Sequence, residues 1–305
     1  IGNTVVYKKV TLTIDSVNIN AFRNNTKITK MVVDCNQSLP SHMASGCSSL
    51  DTLMITSKVG HIGSNAFSNS SKKSNAYHFI NNSGNISSSA FAECDKLYKL
   101  VITDSVKNIG TKAFYSCDGI VDADICNNGE IGSEAFRYSS TIGDATYYLN
   151  NKGVINNYAF ANCSAIKTLL VDTCVGNIGQ YAFQKCSALE NATLQNNGTI
   201  GASAFENCTK LQKVRFGNKV GDIYQSAFYN CVVLDSLILP NTVTALGDNV
   251  FYNCNNLAYI QLSNTLSTIG NAAFYYCNSL PKIFIPKSVS SIGEGAFNQC
   301  TSLSV

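Results

Sequence analysis

Thirteen cysteines and three histidines are the side chains of this sequence that most readily do chemistry. A thiolate can attack an electrophile or bind a metal, and an imidazole can carry the proton that such a reaction moves. Ten of the cysteines close a recurring nine-residue motif, of which "IGTKAFYSC" at Ile109 and "IGEGAFNQC" at Ile292 are examples. These ten are Cys47, Cys94, Cys117, Cys163, Cys186, Cys208, Cys231, Cys254, Cys277 and Cys300.

No catalytic arrangement accompanies these side chains. His42, His61 and His78 lie in the N-terminal quarter of the chain, and we predict surface or edge positions for them because no nucleophile stands at a recognisable spacing. The sequence has no G-x-S-x-G, no H-E-x-x-H, no P-loop and no G-x-G-x-x-G after a predicted strand. We therefore predict a protein that is not an enzyme and that uses no cofactor and no metal.

The elements that position the cysteines are copies of one repeat. A Phe in an "AF" pair anchors each copy three residues before the Cys position, and successive anchors from Phe67 onward lie 22 to 24 residues apart. The 45 residues between Phe22 and Phe67 hold one degenerate copy, with Met43 and Ala44 at the anchor pair. We predict a single solenoid over residues 1–305, of about thirteen repeats of 22 to 24 residues.

In each copy, apolar and polar residues alternate over a short stretch, and a turn follows. In the copy that begins at Cys231, Leu237 and Leu239 alternate with polar or outward residues, which predicts a short strand with one buried face. Gly247 follows and favours a tight turn or a positive φ. The Ala, Phe and Cys that end each copy stand three or four residues apart, which predicts a short helix or 3₁₀ segment. Stacked copies of this kind share one core.

Several middle copies carry Asn-rich turns instead of the strand-ending Pro. The turns are "NNSG" at Asn81, "NNGE" at Asn127, "NNKG" at Asn150 and "NNGT" at Asn196. Asn and Gly tolerate left-handed conformations, so we expect them to turn the chain without Pro and to shift the strand register by one residue.

The repeat resembles the signature of BspA-like leucine-rich repeats, also called the Treponema pallidum type, "CxxLxxIxIPxxVxxIGxxAFxxC". The copies "CNNLAYIQLSNTLSTIGNAAFYYC" from Cys254 and "CNSLPKIFIPKSVSSIGEGAFNQC" from Cys277 match it best. The resemblance implies an α/β solenoid, a leucine-rich repeat horseshoe with a parallel β-sheet on the concave face and short helical or 3₁₀ segments on the other. It also implies a cell-surface or secreted adhesin-like protein that binds a protein or glycan ligand, such as host matrix or a host cell.

The repeat gives the cysteines a structural interpretation. Stacked copies place equivalent side chains roughly 5 Å apart with parallel directions, whereas a disulfide needs Cβ atoms about 3.8 Å apart. No C-x-x-C occurs, which disfavours zinc. We predict a buried ladder of free thiols, since unpaired Cys packs as a small hydrophobe. Cys35, Cys126 and Cys174 lie outside the ladder, and we expect partial exposure there.

Recognition is expected on the outward positions of the strands, where the copies differ. The candidate binding residues are Tyr259, Gln261, Lys282, Phe284, Ile238 and Arg215. We predict that Tyr259, Gln261, Lys282 and Phe284 occupy neighbouring positions on two adjacent strands. Aromatic residues are common anchors of interfaces, but they are also good strand formers, and both interpretations stay open.

Asp122, Asp124 and Asp144 form a second cluster on the predicted outward face. Clustered carboxylates can bind calcium. Three carboxylates on a flat sheet lack enclosing carbonyl groups, so a solvated acidic surface is the other interpretation.

Composition excludes two classes of partner. The 22 Lys and Arg are dispersed and the net charge is +3, which predicts no nucleic-acid surface. No stretch approaches the ~20 apolar residues of a membrane span, so we predict no membrane insertion in this segment. The chain opens with "IGNTVVYKKV", without an initiator Met or a signal peptide, and we interpret it as a mature protein or a piece of a longer one. Two further functions stay open: a structural spacer without a ligand, and an intracellular partner-binding repeat protein.

Overall fold

The computed structural model describes residues 4–7, 10–13, 17–73, 75–140 and 143–304, with backbone alone for the first two ranges. The chain divides into two compact units, Ile1–Gly153 and Val154–Val305. Throughout the described ranges the chain forms strands and turns, and it forms no helix.

The strands are short because each copy supplies one before the chain turns. In chain order they are β1 (Thr4–Tyr7), β2 (Val10–Thr13), β3 (Lys30–Asp34), β4 (Thr52–Ile55), β5 (Ala76–Ile80), β6 (Leu97–Ile102), β7 (Asp122–Ile125), β8 (Ala145–Leu149), β9 (Ile166–Val171), β10 (Asn191–Leu194), β11 (Lys213–Phe216), β12 (Ser236–Ile238), β13 (Ala245–Leu246), β14 (Tyr259–Gln261), β15 (Thr268–Ile269) and β16 (Ser291–Ile292).

In the first unit, β3 to β8 form a parallel sheet in chain order. Equivalent positions of successive copies align, as Lys30 with Thr52 and Lys99 with Asp122 do. The parallel sheet that the repeat predicts is confirmed. An antiparallel hairpin of β1 and β2 pairs with β3 and covers its edge, which would otherwise present unpaired backbone groups.

In the second unit, β9 to β12 and β14 form a parallel sheet. A second parallel sheet of β13, β15 and β16 aligns Leu246, Ile269 and Ile292, the residues that precede the repeated glycine. Earlier copies of this unit make single parallel bridges at the same place, for example between Ile178 and Ile200. The copies therefore stack along two lines, one at the strand and one at the Ile-Gly step.

Alternating burial along the strands follows the predicted pattern. Leu237 is 2% exposed while its neighbour Ile238 is 61% exposed. Each fully buried Leu or Ile contributes about 1.5–3 kcal/mol through removal of apolar surface from water. The inward residues of every copy thus hold the stack together, and the outward residues are left to vary.

The anchor phenylalanines stack face to face in both units. From Phe67 to Phe136 the ring centroids of successive copies lie 5.1, 4.9 and 4.8 Å apart. From Phe160 to Phe297 the spacing is 5.1 to 5.6 Å. One ring in each copy therefore fills the space beneath the next.

The segment around each anchor is a series of tight turns, so the predicted helical or 3₁₀ segment is wrong. In the copy at Phe114, Lys112 and Ser116 have positive φ angles of 57° and 54°, whereas a helix needs about −63° at every residue. Positive φ recurs two residues before and two residues after the anchor in all thirteen copies.

Backbone hydrogen bonds explain why turns replace the helix. The N–H of Ala113 donates to the Gly110 carbonyl (3.2 Å), and that of Tyr115 donates to the Lys112 carbonyl (3.1 Å). Between them, the N–H of Phe114 donates to the Ala135 carbonyl of the next copy (2.7 Å). Alternate N–H groups therefore join neighbouring copies, which a helix cannot do because its N–H groups bond within the helix.

The repeated glycine is required by close approach and not by its φ angle. A Cβ atom at Gly110 would lie 2.8 Å from the carbonyl oxygen of Ile86 in the preceding copy. Among the described glycines, only Gly46, Gly143 and Gly295 have positive φ. The positive φ that the sequence favoured at this glycine is therefore not observed.

The Asn-rich turns are also built differently from the prediction, because none of their asparagines has positive φ. Their buried amides instead donate to backbone carbonyls. The Asn151 amide donates to Gly129 (3.3 Å) in the preceding copy and to Gly153 (2.9 Å) in its own turn. Asn82, Asn127 and Asn196 are equally buried and bond in the same manner.

The predicted ladder of buried free thiols is confirmed. All ten ladder cysteines are buried and unbridged. Each Sγ for which the bond is described donates to the carbonyl of the anchor residue in the preceding copy, as Cys117 does to Phe91 (3.1 Å) and Cys231 to Phe205 (3.3 Å). Cys126 is half-buried and Cys174 is exposed, as expected, but Cys35 is buried.

Candidate binding site on the outward face of the second unit

A cavity of about 680 Å³ lies on the outward face of β11, β12 and β14. Arg215, Ile238 and Tyr259, three of the predicted binding residues, line it together with Lys213 and Phe216. The strand register places Lys213, Ser236 and Tyr259 in one row across the three strands. Since neighbouring strands lie about 4.8 Å apart, these side chains form one continuous surface.

The cavity offers apolar surface to solvent. Ile238 is 61% exposed and Tyr259 is 50% exposed. Phe216 is half-buried, and its ring meets the buried Phe228 edge to face with centroids 6.1 Å apart. Exposed large apolar side chains that adjoin one another are typical of interaction sites.

The other three candidates, Gln261, Lys282 and Phe284, lie outside the cavity lining. Phe284 is 82% exposed, but residues 281–285 form no strand, so the predicted pairing of this segment with the strand of Tyr259 is not observed. Gln261, by contrast, lies on β14, and its Oε1 accepts a hydrogen bond of 3.5 Å from the Tyr259 hydroxyl.

Pro281 explains the missing strand. One copy earlier, the N–H of Ala258 donates to the Asp235 carbonyl (2.9 Å) at the start of the strand pair. Pro281 stands 23 residues after Ala258 and has no N–H with which to make the equivalent bond. β14 is therefore the last strand of this sheet.

The cations of the cavity lack acidic partners. Within the described ranges Lys213 and Arg215 form no ion pair and no side-chain hydrogen bond, and both are exposed. Elsewhere on the outward faces, Lys99 pairs with Asp122 at 2.6 Å and Lys167 with Glu190 at 3.6 Å. The positive charge at β11 is therefore available to a ligand. Arg215 was predicted from its outward position. Lys213 was not among the candidates although its position is also outward, and the signal for Phe216 was its aromatic type.

The predicted acidic cluster does not assemble as expected. Asp122 aligns with Thr146 of β8, so Asp144 lies two residues before that row. The Asp122 carboxylate forms an ion pair with the Lys99 ammonium. The Asp124 carboxylate accepts a hydrogen bond from the Cys126 thiol (3.1 Å). In the described part of the chain, no three His, Cys, Asp or Glu side chains converge to hold a metal ion.

His78 is buried in the core, so the predicted surface or edge position is wrong for this residue. Its Nε2 lies 3.0 Å from the Ser71 hydroxyl, and burial lowers its pKa from 6.5 to about 3. Tyr147 is buried in the same manner, with its hydroxyl 3.3 Å from that of Ser139. These pairs are enclosed in the core and cannot reach a substrate.

The ladder thiols Cys231 and Cys254 are also unsuited to chemistry. Burial raises the pKa of the Cys231 and Cys254 thiols above their usual range, which leaves them protonated at neutral pH. A reactive cysteine needs a lowered pKa and access to solvent. These two thiols therefore support no thiolate chemistry, and no ladder thiol lines the cavity on β11, β12 and β14.

Comparison with known proteins identifies the repeat. The family described as BspA type leucine rich repeat region matches the chain in six copies, over residues 15–143, 131–234 and 222–305. The chain therefore belongs to this family of leucine-rich repeat proteins. No curated protein sequence matches it significantly.

Several solved structures of leucine-rich repeat proteins are similar to the chain. A leucine-rich repeat protein from Bacteroides ovatus ATCC 8483 is 20% identical, with a TM-score of 0.57 over 100% of this chain and 90% of its own. The T. pallidum leucine rich repeat protein is 25% identical, with a TM-score of 0.47 over 55% of this chain and 81% of its own. A leucine rich cell surface protein from Faecalibacterium prausnitzii A2-165 is 18% identical, with a TM-score of 0.40 over 100% and 90%. The first of these supports the parallel β-solenoid of a leucine-rich repeat protein.

No segment within the described ranges forms a helix of the length and apolarity that crossing a bilayer requires.

Proposed function

We propose that this protein is a non-enzymatic binding protein that recognises a protein or glycan ligand through the outward sheet face of β11, β12 and β14. Arg215, Ile238, Tyr259 and Gln261 carry the recognition. Solenoid repeats present such extended surfaces for binding.

The observation that carries this proposal is the cavity itself. It combines exposed apolar side chains with two cations that have no acidic partner. An exposed Ile and an exposed Tyr on adjacent strands gain free energy when a ligand removes them from water.

The proposed location is the cell surface or the extracellular space, where an adhesin-like protein would meet host matrix or host cells. The resemblance of the repeat to BspA-like proteins supports this location. The free cysteines favour the alternative of an intracellular partner-binding protein, because exposed thiols such as Cys174 persist in reducing compartments.

The test is to screen the protein against arrays of extracellular matrix proteins and of glycans, and then to measure the affinity of variants for the bound ligand. We expect the double variant Ile238→Ala, Tyr259→Ala to lose about 2 kcal/mol or more of binding free energy, roughly 30-fold in Kd. Circular dichroism and the unfolding midpoint establish that the variant is folded.

A matched control lies on the same kind of surface. Met54 and Leu170 are outward and 38% exposed on β4 and β9, and their replacement by Ala should leave the affinity unchanged. Equal affinity of the folded double variant would move the site elsewhere. Absence of any ligand on both arrays would instead support a structural spacer.

A further inference from the structure

We infer that the occupant of this cavity is an extended peptide segment of a partner protein that carries an acidic side chain within about three residues of a bulky apolar one. This inference rests on the proposed function and specifies the chemistry of its ligand. It follows from the charge, the apolar surface and the spacing of the lining residues.

The positive charge of the cavity indicates that the ligand carries an acidic side chain. Lys213 and Arg215 project from alternate positions of β11 to the same face, about 7 Å apart by the geometry of a strand. Neither has an acidic partner in the described part of the chain. A carboxylate placed between them gains charge-assisted hydrogen bonds, and the guanidinium of Arg215 can hold both of its oxygens.

The apolar side chain is indicated by Ile238 and Tyr259. Ile238 has no hydrogen-bonding group and is 61% exposed, so it can contribute only to a ligand that brings apolar surface. Tyr259 lies on β14, two strand separations or about 10 Å from β11. An extended peptide covers this distance in about three residues, since each residue spans about 3.3 Å.

Asp235 orients the ligand. It lines the cavity at the start of β12, where its carboxylate accepts a hydrogen bond from the Ser236 hydroxyl at 2.8 Å. Its negative charge repels a second acid, so the ligand carboxylate belongs at Arg215, on the side away from Asp235. An anionic polysaccharide bears charge on every unit and no apolar side chain, so it meets Asp235 unfavourably and leaves Ile238 without a contact.

The test begins with a random dodecapeptide display library selected on the immobilised wild-type protein. Enriched sequences should carry Asp or Glu within three residues of Phe, Leu or Ile. Selection on an Arg215→Gln bait should lose the preference for acids, while a Lys30→Gln bait should keep it. Lys30 is an exposed outward lysine of β3, so this control removes one charge at an equivalent position of another copy.

Affinities of an enriched peptide, measured by fluorescence anisotropy, sharpen the result. Replacing its acid by the amide should weaken binding to the wild-type protein about 10-fold and should have little effect on the Arg215→Gln variant. Asp235→Asn should tighten binding of the acidic peptide several-fold because a repulsive charge is removed.

Three outcomes would overturn the inference. These are enrichment of neutral or basic peptides, equal binding of the acid and its amide, or failure of any peptide to be enriched. If a heparin or hyaluronan oligosaccharide binds the wild-type protein and loses affinity when Tyr259 is replaced, the inference of a peptide ligand is refuted. The proposed function is left intact by that result. Peptides that bind equally well to the Ile238→Ala, Tyr259→Ala variant would refute the proposed function as well.

Discussion

Two kinds of copy fill the interior differently. Ten copies place a ladder thiol three residues after the anchor, and the strand that follows turns aliphatic side chains inward. The copies anchored at Phe67 and Phe136 place Ser70 and Ser139 there, and the strands that follow bury His78 and Tyr147.

In both copies the large polar ring that enters the core lies beside a hydroxyl. His78 meets Ser71 at 3.0 Å, and Tyr147 meets Ser139 at 3.3 Å. A buried polar group without a partner costs about 1–3 kcal/mol, so ring and hydroxyl must change together. The thiol copies need no such pairing because their strands turn aliphatic side chains such as Leu237 inward.

The largest effect is expected from Tyr147→Ala. Removal of a fully buried ring leaves a cavity, and the free energy of unfolding should fall by about 3–5 kcal/mol. Urea unfolding followed by circular dichroism measures the change. Tyr147→Phe is the control, because it keeps the ring, removes the bond to Ser139 and should cost only about 1 kcal/mol. Equal losses in the two variants would mean that the hydroxyl and not the packing dominates.

A smaller effect is expected from pH. The pKa of His78 is lowered from 6.5 to about 3 by burial, so between these values the unfolded chain binds a proton that the folded chain does not. The contribution of neutral His78 to stability is therefore fully present above pH 6.5 and is lost as the pH falls from 6.5 towards 3. Between pH 6.5 and pH 5 the loss should be about 2 kcal/mol, at ~1.4 kcal/mol per pH unit.

The His78→Leu variant isolates this contribution from that of other groups. Its unfolding free energy should be less dependent on pH over the same range than that of the wild type. Parallel pH profiles of the two proteins would show that His78 is not the titrating group.

Replacing a ladder cysteine by serine should lower the free energy of unfolding by less than the changes above. In Cys231→Ser the hydroxyl can still donate to a backbone carbonyl. Ser70 donates to the Phe67 carbonyl of its own copy at 2.6 Å, whereas the Cys231 thiol donates to the Phe205 carbonyl of the preceding copy. The more polar oxygen is nevertheless buried in apolar surroundings, so we expect a loss of about 1 kcal/mol in chemical denaturation. A gain in stability would contradict the idea that the thiol suits this position better than a hydroxyl.

The smallest effect is expected from the same substitution at Cys174. This thiol is exposed, and surface substitutions usually change stability by less than about 0.5 kcal/mol. The variant should lose the thiol that reacts fastest with an aromatic disulfide reagent in the native state. If Cys174→Ser leaves the fast phase of that reaction unchanged, the ladder thiols are less protected than their burial implies.

Much of this architecture could be predicted because the repeat carries two independent signals. Alternation in the strand predicted which residues face inward, and the recurrence of Phe and Cys predicted which residues stack. The turn segment was mistaken for a helix because Ala, Phe and Cys face the core at the same spacing in both structures. A signal was present: nine of the left-handed positions are asparagine, the residue that best tolerates positive φ after glycine.

The candidate site could be predicted only in part. Outward positions on β11, β12 and β14 followed from the alternation, and Arg215, Ile238 and Tyr259 were selected from it. The rows that include Asp144 were misaligned, because the copies at Phe67 and Phe136 begin their strands later than the pattern implies. The exclusion of Phe284 from the cavity depends on a single missing N–H at Pro281.

The sequence by itself determined the repeat, the family, the parallel sheet and the buried thiols, because each depends on residue types that recur at a fixed spacing. Tertiary structure alone decided the rest. Turns prevailed over helices because alternate N–H groups bond to the neighbouring copy, and glycine recurs because a neighbouring backbone leaves no room for Cβ. Likewise, Lys99 is neutralised because the strand register places Asp122 directly opposite it, whereas no carboxylate stands in register with Arg215. Such contacts join residues about 23 positions apart, and their strength depends on distances that no local pattern records.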